Sequence, residues 1–320
     1  MPRLSPKLFK EAAGISHYLP YLLPACRSIT SSVNELNWIK NELPKHKWLK
    51  ALKLRKKLVP LQYILGNQPF GNNLSIKCEK NVLIPRNDTE DWVIKLSNIL
   101  SEYFQNTNNN NIVNKPFTIL DVCTGSGCIP LLLGSEIRPY NKQISLIGID
   151  ISNFAINLAL KNLKINQNFL NLDSRTYYFS KQDLFNNNTL NNIKNKNNSK
   201  SVDLLVSNPP YIHSLEYTNN LQKSVKLYEP KLALLGHLEF YNQLLYKLFH
   251  PHFLNNSPNA FIFELGNDQQ VQFTKNLLQK LDKSNQWNCG LIYDSNNLIR
   301  CIVGWKTDLN ILSKICDKLL

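Results

Sequence analysis

The sequence predicts an α/β protein built on a mostly parallel β-sheet. Short runs of apolar or β-prone residues recur along the chain, and the first of them alternate with helical segments. Two of these runs end in distinctive tips, a glycine turn after residues 118–122 and Asn-Pro-Pro-Tyr after residues 202–207. A turn signal at residues 294–297 lies between two late runs and predicts an antiparallel pair that closes the sheet. Further strands are predicted at residues 144–149, 176–179 and 259–265.

The composition is that of a globular protein without a membrane span. The 320 residues suffice for one large domain and a small one, and 43% of them are hydrophobic. No run approaches the roughly 20 apolar residues that cross a bilayer. The seven cysteines form no CxxC pair, which argues against a disulfide framework or a zinc site and favours a reducing compartment. The net charge of +14 fits either a nucleic-acid partner or a compartment with basic proteins.

Residues 1–59 are predicted to form a small helical domain. Apolar residues recur at steps of three and four between residues 12 and 58, and Pro20, Pro24 and Pro44 are predicted to divide them into short helices. The last of these helices, residues 45–58, is rich in lysine, which suits a solvated face or a binding surface. The first ten residues carry three basic residues and no acid, as at the start of a mitochondrial targeting segment or in a frayed basic terminus.

The composition of residues 60–86 differs from that of the helical segment before them and predicts a β-hairpin linker. Glycine, proline and paired asparagines punctuate the segment, Leu74 and Ile76 alternate with polar residues, and an apolar run at 82–84 follows. A helix is predicted next, to about residue 103, with Glu90 in its first turn. Arg86, just before it, is either an ion-pair partner or part of a site. Two asparagine-rich stretches, 105–115 and 186–200, predict surface insertions.

The segment 117–133 has the form of a cofactor-binding turn. A buried strand leads into Thr124–Gly127, and a helix begins at Cys128, so backbone N–H groups can approach a ligand closely. Asp150 ends the next strand, where a carboxylate binds ribose hydroxyls. Asp183 follows the third strand and either accepts from an adenine amino group or caps a loop, with Leu184 or Phe185 against the base.

The Asn208–Tyr211 tip is the strongest candidate for the chemistry. Its two prolines cannot donate to a sheet and fix their own φ, and the residue before a proline is extended, so the tip is rigid. The Asn208 amide and the Pro209 carbonyl are two acceptors, and Tyr211 offers a flat face. Together they suit a planar NH2 group, whose weak nitrogen nucleophile reacts mainly through positioning. The plain alternative is a Pro-Pro turn that ends a core strand.

These motifs resemble a known family of methyltransferases. The order of LDVCTGSG, GIDIS, KQDLF and VSNPPYI looks like that of a class I S-adenosylmethionine-dependent methyltransferase. With IPRNDTE before it and YEPKLAL and FELG after it, the chain resembles the HemK/PrmC protein-glutamine N5-methyltransferases, which modify the Gly-Gly-Gln loop of peptide-chain release factors. The resemblance runs from residue 60 to residue 305. Before residue 60 it is one of architecture only, because the family carries a helical substrate-recognition domain there.

The resemblance implies a fold, a cofactor and a partner. Residues 87–320 would form a Rossmann-like, mostly parallel seven-stranded sheet with a terminal antiparallel hairpin. The cofactor would be S-adenosylmethionine and the partner a release factor, in the mitochondrial matrix if the targeting interpretation holds. Neither a metal nor a covalent enzyme intermediate is expected, and nucleic acid is not required.

The resemblance also implies site residues. Asn208, Pro209 and Tyr211 would be catalytic, and Pro210, Arg86 and Glu90 would join them at the substrate. The implied cofactor contacts are Cys123, Thr124, Gly125, Ser126, Gly127, Asp150, Asp183, Leu184 and Asn208. Two positions depart from the family pattern: Cys123 replaces the first glycine of the turn, and Leu184 stands where bacterial relatives often have tryptophan.

Three other functions compete with this one. The Asn-Pro-Pro-Tyr motif and the positive charge also suit a nucleic-acid methyltransferase acting on adenine N6 or guanine N2, since both present a planar exocyclic amine. A non-enzymatic scaffold that binds a ribonucleoprotein through residues 45–57 is the second, and the intact Asp150 argues against it. A Rossmann oxidoreductase is the third, and the sequence lacks its full spaced glycine fingerprint.

Overall fold

The computed structural model of the protein describes residues 3–108, 116–138, 143–189, 193, 202–249 and 258–320. The two asparagine-rich stretches predicted as insertions, 105–115 and 186–200, lie mostly outside these ranges. Residues 105–108 continue a helix rather than begin an insertion. Every helix in the described part of the chain is too short or too polar to cross a bilayer.

An eight-stranded sheet forms the centre of the described structure and confirms the predicted α/β class. The strand order is β10-β8-β9-β7-β6-β3-β4-β5, and a separate hairpin contains β1 and β2. The five strands from β7 to β5 in this order are parallel, and β9 joins β7 in antiparallel fashion. The strands are β1 Asn67–Phe70, β2 Leu74–Lys77, β3 Phe117–Val122, β4 Ile144–Asp150, β5 Arg175–Lys181, β6 Leu204–Ser207, β7 Ala260–Glu264, β8 Asn288–Tyr293, β9 Ile299–Trp305 and β10 Lys318–Leu319.

Helices cover both faces of the sheet. Helices α6 to α8 pack on one face, and α12 and α13 pack on the other, each over its own apolar core. Among the described residues, 3₁₀ helices span Lys45–Lys47, Gln167–Phe169 and Thr307–Ile315. The α-helices are α1 Pro6–Ile15, α2 Leu19–Cys26, α3 Ile29–Glu42, α4 Trp48–Lys56, α5 Leu61–Leu65, α6 Asn87–Asn108, α7 Cys128–Glu136, α8 Asn153–Ile165, α9 Ser214–Asn219, α10 Lys223–Tyr228, α11 Lys231–Leu234, α12 Leu238–Leu248 and α13 Asp268–Leu281.

The carboxyl end of the chain differs from the prediction. The sequence of residues 308–320 predicts a terminal helix, whereas the structure has a 3₁₀ helix followed by the two-residue strand β10, which is the eighth strand of the sheet. Leu309, Leu312 and Ile315 are all buried and recur every three residues. A 3₁₀ helix has three residues per turn, so this spacing places all three on one face.

The N-terminal helices α1 to α5 share a separate apolar core. Pro24 lies inside α2 and does not end it, contrary to the predicted division. The helices contact the rest of the protein through backbone acceptors near the end of α4. The Ser224 hydroxyl donates to the Leu58 carbonyl at 2.8 Å, and the Tyr228 hydroxyl donates to the Lys57 carbonyl at 2.8 Å.

The hairpin β1–β2 packs on α8 through two buried asparagines. The Asn162 amide oxygen accepts from the Lys77 N–H at 2.7 Å, and that of Asn166 accepts from the Ser75 N–H at 2.9 Å. Asn162 also donates through Nδ2 to the Ser126 carbonyl at 3.0 Å. These side chains satisfy the exposed edge of β2 and tie the hairpin to the glycine turn. The run 82–84 lies outside the hairpin and is not a strand.

Strand order places the predicted motifs side by side. β3 lies between β4 and β6, with Val122 opposite Ile149 on one side and Ser207 on the other. The chain proceeds from β3 outward through β4 and β5, and then returns to β6 and β7 on the opposite side. In open α/β sheets, such a reversal opens a crevice at the carboxyl ends of the strands, where ligands bind.

Candidate active site

A cavity of about 210 Å³ opens at this reversal. The turn after β3, the end of β4 and the tip after β6 all contribute to its wall, and the segments 81–86 and 182–185 complete much of it. Nine of the predicted site residues line the cavity together with Arg86: Cys123, Thr124, Gly125, Ser126, Asp150, Asp183, Leu184, Asn208 and Pro210. The other four predicted residues, Gly127, Pro209, Tyr211 and Glu90, are not on its wall.

The glycine turn has a left-handed backbone at three positions. The φ angles are 62° at Cys123, 56° at Gly125 and 78° at Gly127. A Cβ at Gly127 would lie 3.0 Å from the Ala159 Cβ and 3.2 Å from the Phe179 ring, so only glycine fits between them. Cys123 adopts its conformation with a side chain present, which costs about 1–2 kcal/mol in an L-residue. The departure noted in the sequence is therefore accommodated as local strain.

Asp150 holds the glycine turn in place. One of its carboxylate oxygens accepts from the Gly125 N–H at 2.9 Å, and the other accepts from the Ser152 N–H at 2.9 Å. Burial raises the pKa of this carboxyl, and the backbone N–H donors act in the opposite direction. Each oxygen keeps a second lone pair, so the predicted contact with ribose hydroxyls remains open to Asp150.

The segment after β5 supplies a mixed polar and aromatic wall. The Asp183 carboxylate accepts from the Phe185 N–H at 2.9 Å, and Leu184 is buried. The Phe185 ring meets that of Phe240 edge-on, with centroids 5.2 Å apart, and both rings line the cavity. Phe240 was missed in the sequence because it lies in the first turn of the amphipathic helix α12, 55 residues after Phe185.

Asp121 is a second residue that the sequence analysis missed. It is 1% exposed, and neither carboxylate oxygen has a hydrogen-bond partner among the described residues. The Thr124 hydroxyl, on the cavity wall, lies near enough to this carboxyl to act against the rise in its pKa, but it makes no hydrogen bond of normal geometry among the described residues. Burial raises the pKa of Asp121 well above its usual value. An acid inside an otherwise apolar strand, directly before the glycine turn, was the available signal.

These unpaired groups fit S-adenosylmethionine. The cofactor carries a sulfonium and an ammonium group, and a buried carboxylate behind the turn favours positive charge in the cavity. Asp150 and Asp183 offer acceptors for ribose and adenine, and the aromatic rings offer faces for the base.

The Asn208 tip is fixed by contacts on several sides. The Asn208 Nδ2 donates to the Thr89 hydroxyl at 3.1 Å, and the next polypeptide segment pairs with residues near Leu235. A Cβ at Gly236 would lie 2.2 Å from the Pro210 carbonyl oxygen, so glycine is required at this approach. Pro209 is buried. The tip is therefore rigid, as its two prolines predict.

Tyr211 lies behind the tip rather than on the cavity wall. Its hydroxyl donates to Glu264 Oε1 at 3.2 Å, and its carbonyl accepts from Gln270 Nε2 at 2.8 Å. A Cβ at Gly266 would lie 3.2 Å from the ring, so this glycine makes room for it. Burial, and then the Glu264 carboxylate, raise the pKa of the Tyr211 hydroxyl well above its usual value, which keeps it protonated. In this position the ring braces the tip.

Arg86 and Glu90 have different surroundings. The Arg86 guanidinium contacts both carboxylate oxygens of Glu229, at 2.8 and 2.9 Å, and Glu229 also accepts from the Ile84 N–H at 3.3 Å. This pair joins two walls of the cavity. Glu90 instead accepts from the Gly71 N–H at 2.9 Å and braces the hairpin turn.

The Cys123 thiol, on the cavity wall, is not activated. Burial, followed by the charges of Asp150 and Asp121, raises the pKa of Cys123 well above its usual value. A protonated thiol is a weak nucleophile, so the arrangement favours direct transfer to a bound substrate. The described residues include no cluster of three or more His, Cys, Asp or Glu side chains that could hold a metal ion.

The fold and the site define a class of protein. The protein has the fold of a class I S-adenosylmethionine-dependent methyltransferase. This class has a parallel sheet with a glycine turn, an acid at the end of the next strand and a closing antiparallel pair of strands. The family model for N-6 DNA methylases matches residues 94–239, which include the glycine turn and the Asn208 tip.

Curated relatives then identify the family. The mitochondrial MRF1 N(5)-glutamine methyltransferase MTQ1 of Saccharomyces cerevisiae is 34% identical over 311 residues, 96% of this chain and 90% of its own. A probable counterpart in Schizosaccharomyces pombe is 31% identical and covers 92% and 94%. The release factor glutamine methyltransferase of Clostridium botulinum is 35% identical over 72% and 71%. The chain belongs to the family of N5-glutamine methyltransferases.

Proposed function

We propose that the protein transfers a methyl group from S-adenosylmethionine to the side-chain amide nitrogen of the glutamine in the Gly-Gly-Gln loop of a release factor. The observation that carries this proposal is the Asn208 carboxamide, held rigidly on the wall of a cavity whose other side is the glycine turn. The three relatives named above are described as acting on release factors or on MRF1. These relatives cover 96%, 92% and 72% of this chain.

The chain acts mainly by positioning the nucleophile. The cofactor supplies an electrophilic methyl group on its sulfonium. We propose that the Asn208 Oδ1, on the cavity wall, accepts one hydrogen of the substrate amide, so that its nitrogen lone pair faces the methyl group. The Pro209 carbonyl, predicted from the sequence as the second acceptor, belongs to a buried residue that is not on this wall. An amide nitrogen is a poor nucleophile because its lone pair is delocalised, and fixed acceptors that localise it lower the barrier. The proton leaves nitrogen after transfer, since a neutral carboxamide is too weak a base to remove it earlier.

The mitochondrial matrix is the proposed location. Two relatives carry "mitochondrial" in their names, and the first ten residues of this chain contain three basic residues and no acid. The target would then be a mitochondrial release factor.

The deciding experiment offers the protein three substrates. Purified enzyme is incubated with labelled cofactor and a mitochondrial release factor, total RNA or DNA. We expect label on one glutamine of the release factor, located by mass spectrometry, and none after that glutamine is changed to alanine. Label in nucleic acid with none in protein would support the adenine- or guanine-methylating alternative instead.

A further inference from the structure

Thr89 connects the catalytic tip to a buried carboxylate. Its hydroxyl donates to Glu264 Oε2 at 2.7 Å and accepts from Asn208 Nδ2 at 3.1 Å. Thr89 is 2% exposed and Glu264 is 1% exposed, so water does not compete for these bonds. The three side chains come from the start of α6, the end of β7 and the end of β6, and lie 119 and 175 residues apart in the chain.

The direction of the Thr89 proton follows from the donors around Glu264. Trp92 Nε1 donates to the same carboxylate oxygen, Oε2, at 3.0 Å, and an indole nitrogen can only donate. Tyr211 donates to the other oxygen. Burial raises the pKa of Glu264, and the hydrogen bonds from Trp92, Thr89 and Tyr211 act in the opposite direction. Three donors around one carboxyl group favour its ionised form, in which Oε2 only accepts and the single proton of the Thr89 hydroxyl points towards it. The remaining side of that hydroxyl can only accept a hydrogen bond.

The Thr89 hydroxyl therefore acts as an acceptor towards Asn208, and this decides the orientation of the Asn208 carboxamide. The oxygen and nitrogen ends of an asparagine amide have nearly the same shape, so only hydrogen bonding distinguishes them. Thr89 admits the NH2 end, and this leaves Oδ1 as the end available to a substrate. A substrate carboxamide presents N–H donors, which Oδ1 accepts. A glutamate carboxylate at the same place presents only acceptors, and Oδ1 would repel it.

We propose that Thr89, with its proton directed to Glu264, is a positioning residue that keeps the oxygen of Asn208 facing the substrate and thereby selects an amide over an acid. The inference rests on the proposed function, since it concerns the same nucleophile. The sheet register supports it: Ser207 on β6 pairs with Phe263 on β7, which places Asn208 and Glu264 side by side at the strand ends.

The test compares two variants at residue 89 with the wild-type protein. Thr89→Val removes the hydroxyl at nearly constant shape and frees the carboxamide to turn. We expect kcat for release-factor methylation to fall by about tenfold to a hundredfold, as for other outer hydrogen-bond partners, with little change in KM. Thr89→Ser keeps the hydroxyl, and we expect it to recover most of the turnover. Calorimetry with S-adenosylhomocysteine should give similar Kd values for both, because the glycine turn and Asp150, which provide most of the predicted cofactor contacts, are unchanged.

Several outcomes separate this inference from the proposed function. If Thr89→Val methylates the release factor with the wild-type kcat while Asn208→Ala does not, the positioning role is wrong and the function stands. If wild-type enzyme leaves the glutamine unmodified, the function itself is wrong. Should Thr89→Val fail to fold, Thr89→Ala replaces it, and equal turnover of the alanine and serine variants would overturn the positioning role.

Discussion

At the scale of single residues, Asn208 has the clearest role to test. Its carboxamide lies on the cavity wall and makes one bond to Thr89. In Asn208→Ala, an acceptor for the substrate amide is lost, and we expect kcat to fall by about a hundredfold or more. Cofactor affinity should stay within about twofold, because the glycine turn and Asp150 are untouched. Steady-state kinetics and calorimetry measure the two effects.

The matched control for this change is Asn188→Ala, which removes an exposed asparagine elsewhere on the surface. It should leave both kcat and cofactor affinity unchanged. Wild-type turnover by the Asn208 variant would show that the tip is structural and that another group orients the substrate.

The Asp121 carboxyl is expected to release its proton when the cofactor binds. Burial raises the pKa of its carboxyl well above the usual value, so the free protein retains a proton there at pH values where an exposed aspartate has lost it. A cationic ligand nearby favours the ionised form and lowers that pKa. Binding should therefore release protons, and affinity should rise with pH until it passes the raised pKa of the free protein.

Titration calorimetry in buffers of different ionisation enthalpy measures this release directly. Asp121→Asn is close in shape and has no proton to release, so its binding enthalpy should depend less on the buffer. The same proton count in both proteins would place the titrating group elsewhere.

At the scale of elements, the sequence predicts strands and turns, which depend on neighbouring residues. It does not predict contacts between residues far apart in the chain. Strands β3 to β7, the glycine turn and the Asn208 tip follow from short apolar runs and from residues with restricted backbones. The short helices α9 to α11 were missed because their apolar periods are brief. Helix α13 was missed although its apolar residues recur at helical spacing, so its signal was present in the sequence. The Thr89–Glu264 bond joins residues 175 positions apart, and no local pattern reports such a pair.

The contribution of the Arg86–Glu229 ion pair to stability can also be tested. The Glu229 side chain is 2% exposed and holds Arg86 at 2.8 Å. Glu229→Gln removes the charge from a buried, bidentate contact, and we expect the free energy of unfolding to fall by about 1–3 kcal/mol. Urea denaturation at neutral pH measures it. Glu79→Gln serves as control, because Glu79 pairs with Lys161 at the exposed surface and should cost under about 1 kcal/mol. Equal losses would mean that burial adds nothing to the Arg86 pair.

At the scale of the whole molecule, we propose three units: helices over residues 1–59, a linker over 60–86 and the methyltransferase domain over 87–320. The first unit has its own apolar core and carries 12 of the 37 Lys and Arg residues but only 3 of the 23 acids. Its charge and its position beside segment 222–230, whose last residue Pro230 lines the cavity, suit a role in holding the protein substrate.

Removal of residues 1–59 tests this division. We expect the remaining chain to fold and to bind S-adenosylhomocysteine with nearly the affinity of the full protein, since the cavity lies outside the deleted part. The KM for the release factor should rise by at least about tenfold, equivalent to about 1.4 kcal/mol of lost binding. Unchanged kinetics with the release factor would show that the helical unit does not contact it.

The two asparagines on α8 have a consequence for how the hairpin responds to a ligand. The backbone N–H groups of Ser75 and Lys77 donate to side chains of α8. Their hydrogens therefore exchange with deuterated water when the hairpin separates from this helix. Asn162 also holds the Ser126 carbonyl in the glycine turn. A cofactor that stiffens this turn should therefore slow deuterium uptake at residue 77, in a strand that does not touch the cavity. Mass spectrometry of this uptake would then report whether the cofactor is bound.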